Sequence, residues 1–511
     1  MRKFDHFLCL LSFLMAFFFQ EQPLRASVQQ VPDSLSRTAV SELPPIVLED
    51  SLMVDSLEQD TVLSLVQKLD SVIASSLPIG AQVSVYAYDL TDQSAIYEHN
   101  ADLLCRPAST MKVLTAITAL DQDRNSKPFV TRVYHDGTLS GGILDGNLWV
   151  LGGFDPEFMD EDMDDLVAKL ASSGIKQIKG HIYGDVSLKD SLYWGHGWMW
   201  DDTPDAFQPY LTTLMFNKDK VSVTVRPSSA GKKATVSVKP VSSYYSVDNQ
   251  TLTSTRSKGP FKLTRNWLSS GNMIQLDGNV SSRRVGELNL FATERFFMQT
   301  FIDRLKEAGV QNEGSYILSF EETSYSDKKL LSQVQTSFQE VLQEMLKESD
   351  NLNAEAMLWR IGYNATQKAG VSAQDGLKVV EALIRKLGLD PKSYNLADGC
   401  GLSMYDYISS RLLVAFLTYA FQDSEIFSRF YKALPVSGVD GTLKNRMKSP
   451  LMLQRVKAKT GSYTGINTLS GYLMSESGHY VAFAIMVQNV LQGKDARNLQ
   501  DALCETLAKG L

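Results

Sequence analysis

Three short words stand in order along this chain, and their spacing constrains the fold more than any bulk property. Ser109-Thr110-Met111-Lys112 reads S-x-x-K, Ser349-Asp350-Asn351 reads S-x-N, and Lys459-Thr460-Gly461 reads K-T-G. For the three to act together, segments separated by the 236 residues between Lys112 and Ser349 must return to one cleft. The set supplies a serine nucleophile with an amine one helical turn away, then a second hydroxyl and an amide. It ends with a cation on a strand that can bind a carboxylate. These are the parts of an active-site serine acyl-transferase.

The words differ in specificity. S-x-x-K recurs at Ser173/Lys176, Ser229/Lys232 and Ser326/Lys329, and S-x-N recurs at Ser270–Asn272 and Ser393–Asn395, whereas K-T-G occurs once. Ser109 is set apart by the apolar run Val113 to Leu120, which predicts a helix entered through Pro107 with Ser109 and Lys112 on one face. A serine hydroxyl attacks well only when something accepts its proton. Lysine can do so if burial or a neighbouring cation depresses its pKa, and Lys459 is the candidate cation. Free N–H groups at the start of that helix suit an oxyanion near Ser109.

Ser349–Asn351 closes a helical pattern over Ser337–Lys347, which opens with Ser337 and Glu340 at capping-box spacing, and begins another over Asn353–Ile361. Helix capping by Ser349 or Asn351 is the competing role. Lys459–Gly461 continues the alternating strand Arg455–Ala458. Gly461 allows another chain to come close, so a substrate peptide can pair there with Lys459 and Thr460 facing its terminal carboxylate. An ordinary strand-end lysine is the alternative.

With 511 residues, 44% hydrophobic and 21% charged, the chain has room for two or three globular domains. A net charge of −8 argues against a nucleic-acid partner. Residues 1–26 read as a secretory signal peptide: Arg2 and Lys3 precede the apolar run Phe7–Phe19, which is too short to span a bilayer, and Ala26 suits cleavage. Export to a periplasm follows, with a retained anchor and peripheral membrane or cell-wall association as the alternative. Residues 27–60 read as a flexible acidic linker, with Pro32, Pro44, Pro45 and three copies of Asp-Ser-Leu.

Folding is expected from Thr61, with Leu63, Val66, Leu69 and Ile73 at helical spacing, then strands at Gln82–Tyr88 and Ala95–Tyr97. Residues 140–309 carry glycine pairs and short β-rich runs such as Val221–Val225, so they read as a mostly β insertion, closed by a helix at Arg295–Ala308. Strands at Ile466–Met474 and Tyr480–Gln488 and a helix at Asn498–Lys509 complete the chain. The fold class is α+β: one antiparallel sheet built from both chain ends, flanked by helices, with catalytic segments 61–139 and 310–511. Cys105, Cys400 and Cys504 read as small buried hydrophobes, not a disulfide framework. The six histidines show no metal-ligand spacing, and no metal or cofactor is expected. Trp194, Trp198 and Trp200 with Asp201 and Asp202 either read a glycan or a peptide amino group, or pack an irregular β region; packing is the commoner use of large aromatics.

The chain resembles the low-molecular-mass, class C penicillin-binding proteins, serine peptidase family S13, the D-alanyl-D-alanine carboxypeptidases/endopeptidases. Arg106–Lys112 is similar to that family's nucleophile segment, Asp398-Gly399-Cys400-Gly401-Leu402-Ser403 to its D-G-S-G-L-S loop, and Leu434–Leu443 to the stretch before K-T-G. Gly153-Phe154-Asp155-Pro156 and Phe216-Asn217 match patterns in the insertion. The resemblance covers about residues 61–511 and implies a β-lactamase/transpeptidase-like domain interrupted between the first two words.

It further implies that Ser109 is acylated and Lys112 is its base. Ser349 and Asn351 would assist proton transfer and hold the peptide, and Lys459 and Thr460 would bind the carboxylate. Ser462 would offer an oxyanion N–H beside that of Ser109. The implied partners are peptidoglycan stem peptides, with β-lactams as covalent inhibitors. A β-lactamase or esterase on the same scaffold and a non-catalytic cell-wall scaffold protein are the rival functions. Cys400 stands in place of the family's serine, where an outward-facing thiol would be open to oxidation.

Overall fold

The computed structural model describes residues 63–256 and 260–511. The expected signal peptide and linker lie outside the described residues. Among the described residues no helix is long and apolar enough to cross a membrane.

A five-stranded antiparallel sheet joins the two ends of the chain. Its order is Ser94–His99, Gln82–Asp89, Tyr480–Gln488, Ile466–Met474 and Val456–Tyr463. The register is set by long ladders: Gln82 pairs with Gln488, and Ile466 with both Gln488 and Tyr463. The strands Ile466–Met474 and Tyr480–Gln488 are buried almost throughout. Their near-continuous apolar sequence fits strands covered on both faces. The helix Ser410–Gln422 packs against this sheet, as does the terminal helix Gly493–Gly510, which also packs on Leu65–Ser76. In that first helix Leu69 and Ile73 are buried, but Leu63 and Val66 are exposed, so only half of the expected apolar face is used.

The helix Met111–Gln122, which follows Ser109, is buried from Met111 to Leu120 and runs through the core formed with the helices Phe338–Lys347, Asn351–Thr366 and Ala373–Lys386. Burying such a helix whole explains why it carries so few charges.

A second core belongs to the strand-rich middle of the chain. Its largest sheet has the order Tyr316–Ser319, Ile182–Asp185, Leu148–Leu151, Phe129–His135 and Lys329–Thr336, with parallel and antiparallel pairs mixed. The strands of this region therefore run from Phe129 to Thr336, wider than the expected 140–309. The region also contains a helix that the glycine-rich pattern hid, Asp160–Ser172. Its buried Met163, Leu166, Val167 and Leu170 follow helical spacing, and Asp160, Glu161 and Asp162 in the first turn complement the helix dipole. The expected helix at Arg295–Ala308 is present as Thr293–Glu307.

All three described cysteines are buried and unpaired. Cys400 is fully buried, as its reading as a small hydrophobe requires; its thiol lies 3.4 Å from Asp398 Oδ2, and burial pushes it well above the ordinary thiol range, so it is not the outward-facing thiol that would be open to oxidation. A thiol held protonated reacts slowly. Native protein treated with a maleimide should therefore be unmodified at Cys105, Cys400 and Cys504 in peptide mass maps, with labelling only after denaturation. Rapid native labelling of Cys400 would contradict this placement.

Candidate active site

Ser109, the expected nucleophile, sits on a tight turn rather than inside the helix that follows. Ala108–Thr110 form a 3₁₀ turn, and the α-helix begins at Met111. Ala108 takes a left-handed backbone, φ 45°. This turn lies against the K-T-G strand, where a Cβ added to Gly461 would come within 2.8 Å of Pro107 O and 3.0 Å of Ser109 N. Gly461 is thus required both by Thr468 on the neighbouring strand, whose Oγ1 would lie 2.1 Å from such a Cβ, and by the approach of the turn that bears Ser109. Thr468 Oγ1 donates to Pro107 O (2.7 Å) and fixes the same contact from the neighbouring strand.

Lys112 is fully buried beneath Ser109. Its Nζ lies 3.0 Å from Ser109 Oγ, 2.6 Å from Asn351 Oδ1 and 2.8 Å from Cys400 O. Asn351 Nδ2 donates to Phe207 O (2.6 Å), which turns Oδ1 toward the lysine. A neutral amine has two N–H donors and one lone pair. Asn351 Oδ1 and Cys400 O can only accept, so they take the two N–H groups and leave the lone pair for the Ser109 hydroxyl.

Burial is the largest influence on Lys112 and lowers its pKa, while Cys400, Asp398, Asp350 and Glu355 act in the opposite direction. Lys459 is held well below the usual lysine range, first by burial and then by the cation of Lys112. The role given to Lys459 from sequence is therefore secondary: burial does most of the work on Lys112.

The other words converge on the same point. Lys459 Nζ donates to Ser349 Oγ (2.8 Å) and to Thr460 O (2.7 Å), and Ser349 itself is left-handed, φ 64°. Asp350, not Ser349 or Asn351, caps the helix Asn351–Thr366, accepting from Asn353 N (2.9 Å). Thr460 Oγ1 meets Thr442 Oγ1 at 2.7 Å.

The stretch Leu434–Leu443 covers the first half of the K-T-G strand. Ser437 N donates to Val456 O and Ala458 N to Pro435 O. In the sheet the strand is the last in order, and beyond Ala458 this covering ends; Ser462 is exposed there. All seven sequence-derived site residues thus fall on the nucleophile turn and helix, the S-x-N turn, or the K-T-G strand.

Sequence reasoning picked out the Asp398–Ser403 loop but gave it no part in the site, where it closes the floor. Asp398 accepts N–H groups from Cys400 (3.1 Å), Gly401 (2.6 Å) and Ser403 (2.8 Å), and Trp198 Nε1 donates to it (2.8 Å). Glu355 Oε1 accepts Gly399 N–H (2.8 Å). This network aims Cys400 O at Lys112. Glu355, Asp398 and Cys400 are close enough in number and distance to suggest a metal group, but these backbone donors already engage the carboxylates.

The tryptophans of the cluster differ in burial and partners. Trp198 serves the Asp398 loop, whereas Trp200 is 68% exposed and lies 5.3 Å from Trp267 across a cavity of about 270 Å³. Asp202 accepts the hydroxyl of Tyr463, just past Ser462.

The chain is 26% identical over 428 residues to D-alanyl-D-alanine carboxypeptidase DacB of Haemophilus influenzae, covering 82% of this chain and 88% of that one. It is 28% identical over 473 residues to a D-alanyl-D-alanine carboxypeptidase of Actinomadura sp., covering 87% and 84%. The crystal structure of penicillin binding protein 4 (dacB) from Haemophilus influenzae superposes with a TM-score of 0.77 at 23% identity, over 86% of this chain and 99% of that one; the same protein has been crystallised with a β-lactam. Residues 65–510 match the D-Ala-D-Ala carboxypeptidase 3 (S13) family, and the chain belongs to it.

Proposed function

We propose that the protein is a penicillin-binding serine D,D-peptidase that removes the terminal D-alanine of peptidoglycan stem peptides through an acyl-enzyme on Ser109. One observation carries it: Lys112 Nζ stands 3.0 Å from Ser109 Oγ with its other two directions taken by obligate acceptors. Lys112 takes the hydroxyl proton as Oγ attacks the carbonyl between the two D-alanines. The N–H groups of Ser109 and Ser462 receive the oxyanion. Ser349, hydrogen-bonded to Lys459, returns a proton to the departing amine. Lys459 and Thr460 bind the terminal carboxylate, and the uncovered half of the K-T-G strand pairs with the extended substrate. Water then releases the acyl chain by the reverse path. The same groups accommodate a D-alanyl bond to the diamino acid of a cross-link. The N-terminal sequence supports action outside the cytoplasm.

Purified protein should release D-alanine from a pentapeptide ending in D-Ala-D-Ala, be labelled by fluorescent penicillin, and turn over nitrocefin slowly. Fast nitrocefin turnover with an inert peptide would instead identify a β-lactamase. Because Lys112 must be neutral to act as base, acylation should rise with pH along a single limb as it loses its proton.

A further inference from the structure

The strand-rich middle of the chain reaches the catalytic words through one cation. Phe216-Asn217, a pattern shared with the family, opens a turn in which Asn217, Lys218 and Asp219 are all left-handed, with φ of 51°, 59° and 54°. Each such non-glycine residue is unfavourable, so a run of three persists only where its surroundings hold it. Here Asn217 N donates to Phe158 O (2.9 Å), Leu290 N donates to Asp219 O (3.1 Å), and Asp219 Oδ1 accepts Phe216 N–H (3.1 Å). Asn217 Nδ2 donates to Lys220 O (2.9 Å).

The turn sends Lys218 beneath the S-x-N word. Its side chain is 11% exposed, pairs with Glu157, donates to Asn353 Oδ1 (2.7 Å), and stands 3.7 Å from Asp350 Oδ2. Glu157 directly follows Gly153-Phe154-Asp155-Pro156, the other shared pattern of this region, and accepts from Asn353 Nδ2 (2.6 Å). The two patterns thus meet on the first turn of the helix Asn351–Thr366.

We infer that Lys218 is a positioning residue for the acylation reaction, neutralising Asp350 and fixing the S-x-N turn so that Asn351 and Lys112 keep the geometry and charge balance the base requires. Asp350 lies between the two motif residues Ser349 and Asn351. Its carboxylate favours the protonated form of Lys112, in the same sense as Glu355, Asp398 and Cys400. Lys112 in turn helps hold Lys459 below the usual lysine range. Around Lys218 stand Glu157, Asp350, Asn353 and, from the helix Phe338–Lys347, Glu344. Burial works against the Lys218 charge, but these carboxylates outweigh it and keep the cation protonated. Asp350 is faced by Lys218, Lys220, Lys112 and the N–H of Asn353; burial opposes its charge, and these groups together hold it below the usual carboxylate range. Removing Lys218 leaves the Asp350 and Glu157 charges less cancelled at Lys112. Lys112 then keeps its proton to higher pH, and fewer molecules carry the free base at neutral pH.

The test follows the pH dependence of acylation by fluorescent penicillin in the full chain. Lys218→Met should move the acid limb upward by about one pH unit and slow acylation about tenfold at neutral pH. Lys218→Arg should restore the limb, and adding Asp350→Asn to Lys218→Met should bring it back to, or below, its original position. A purely structural role would lower the rate without moving the limb. A Lys218→Met limb that coincides with that of the unmodified protein, or a double variant that stays displaced, overturns the inference. If Lys218→Met does not fold, Asp350→Asn alone decides: its limb should move toward acid, and an unmoved limb overturns the inference. The inference rests on the acyl-enzyme proposed above, whose own failure would appear separately as no labelling of the unmodified protein.

Discussion

Ser109→Ala should abolish covalent labelling by fluorescent penicillin and reduce D-alanine release by at least about a thousandfold, since it removes the hydroxyl that the proposed mechanism acylates. The fold should be unaffected. Ser109 is half-buried on its turn, and its one side-chain partner among the described residues is the Lys112 amine at 3.0 Å. Lys112→Ala is a less clean experiment. It removes the base, but it also strips Asn351 Oδ1 and Cys400 O of a buried donor, at a cost of about 1–3 kcal/mol for each acceptor left unsatisfied. Activity and thermal unfolding measured together separate the two: Ser109→Ala should lose the first and keep the second. Labelling of Ser109→Ala at the rate of the unmodified protein would mean that another nucleophile is acylated.

The second large effect is expected at Gly401. Its φ is +85°, and a Cβ built there would lie 1.8 Å from Ala108 O and 2.4 Å from Ala108 C. Neither side can yield easily. Ala108 belongs to the nucleophile turn and is itself left-handed, and Gly401 N is bonded to the buried Asp398. Backbone strain and overpacking together predict that Gly401→Ala destabilises the protein by about 3 kcal/mol or more. Whatever fraction folds should acylate slowly, because the clash separates Ser109 from the loop whose Cys400 carbonyl orients Lys112. Urea unfolding and the labelling rate of the folded fraction check both parts. An unfolding midpoint and a labelling rate equal to those of the unmodified protein would show that the loop and turn are far more pliant than their hydrogen bonds indicate.

What could be read from the sequence follows what short-range chemistry can specify. The strands Ile466–Met474 and Tyr480–Gln488 have the expected ends, since unbroken apolar runs bounded by turns leave little choice. The three words predicted their own convergence because their chemistry is useful only in combination. The Asp160–Ser172 helix was harder to see: its apolar spacing is regular, but glycine pairs and short β runs on either side dominate the segment. The pairing of Phe129–His135 with Lys329–Thr336 spans nearly two hundred residues, and no local pattern announces a partner that distant. The roles of Cys400 O and Lys218 were beyond reach for a related reason. One is a backbone carbonyl, which has no residue identity, and the other depends on a left-handed turn that asparagine, lysine and aspartate do not ordinarily adopt together. The burial of Cys400 follows its small apolar character, and hydrogen-bond donors converging on Asp398 fold that loop inward.

The sheet that unites the chain ends also dictates when the enzyme can exist. Ser109 and Lys112 are synthesised in the first quarter of the chain, yet the strand Gln82–Asp89 finds its partner only in Tyr480–Gln488. The turn bearing Ser109 abuts the K-T-G strand, which emerges almost as late. A nascent chain therefore carries its nucleophile for most of translation without a wall to hold it or a pocket to expose it. The strand partners that complete this sheet arrive only near the C-terminus. A protein stalled or cleaved before Tyr480 keeps all three words and has nowhere to assemble them.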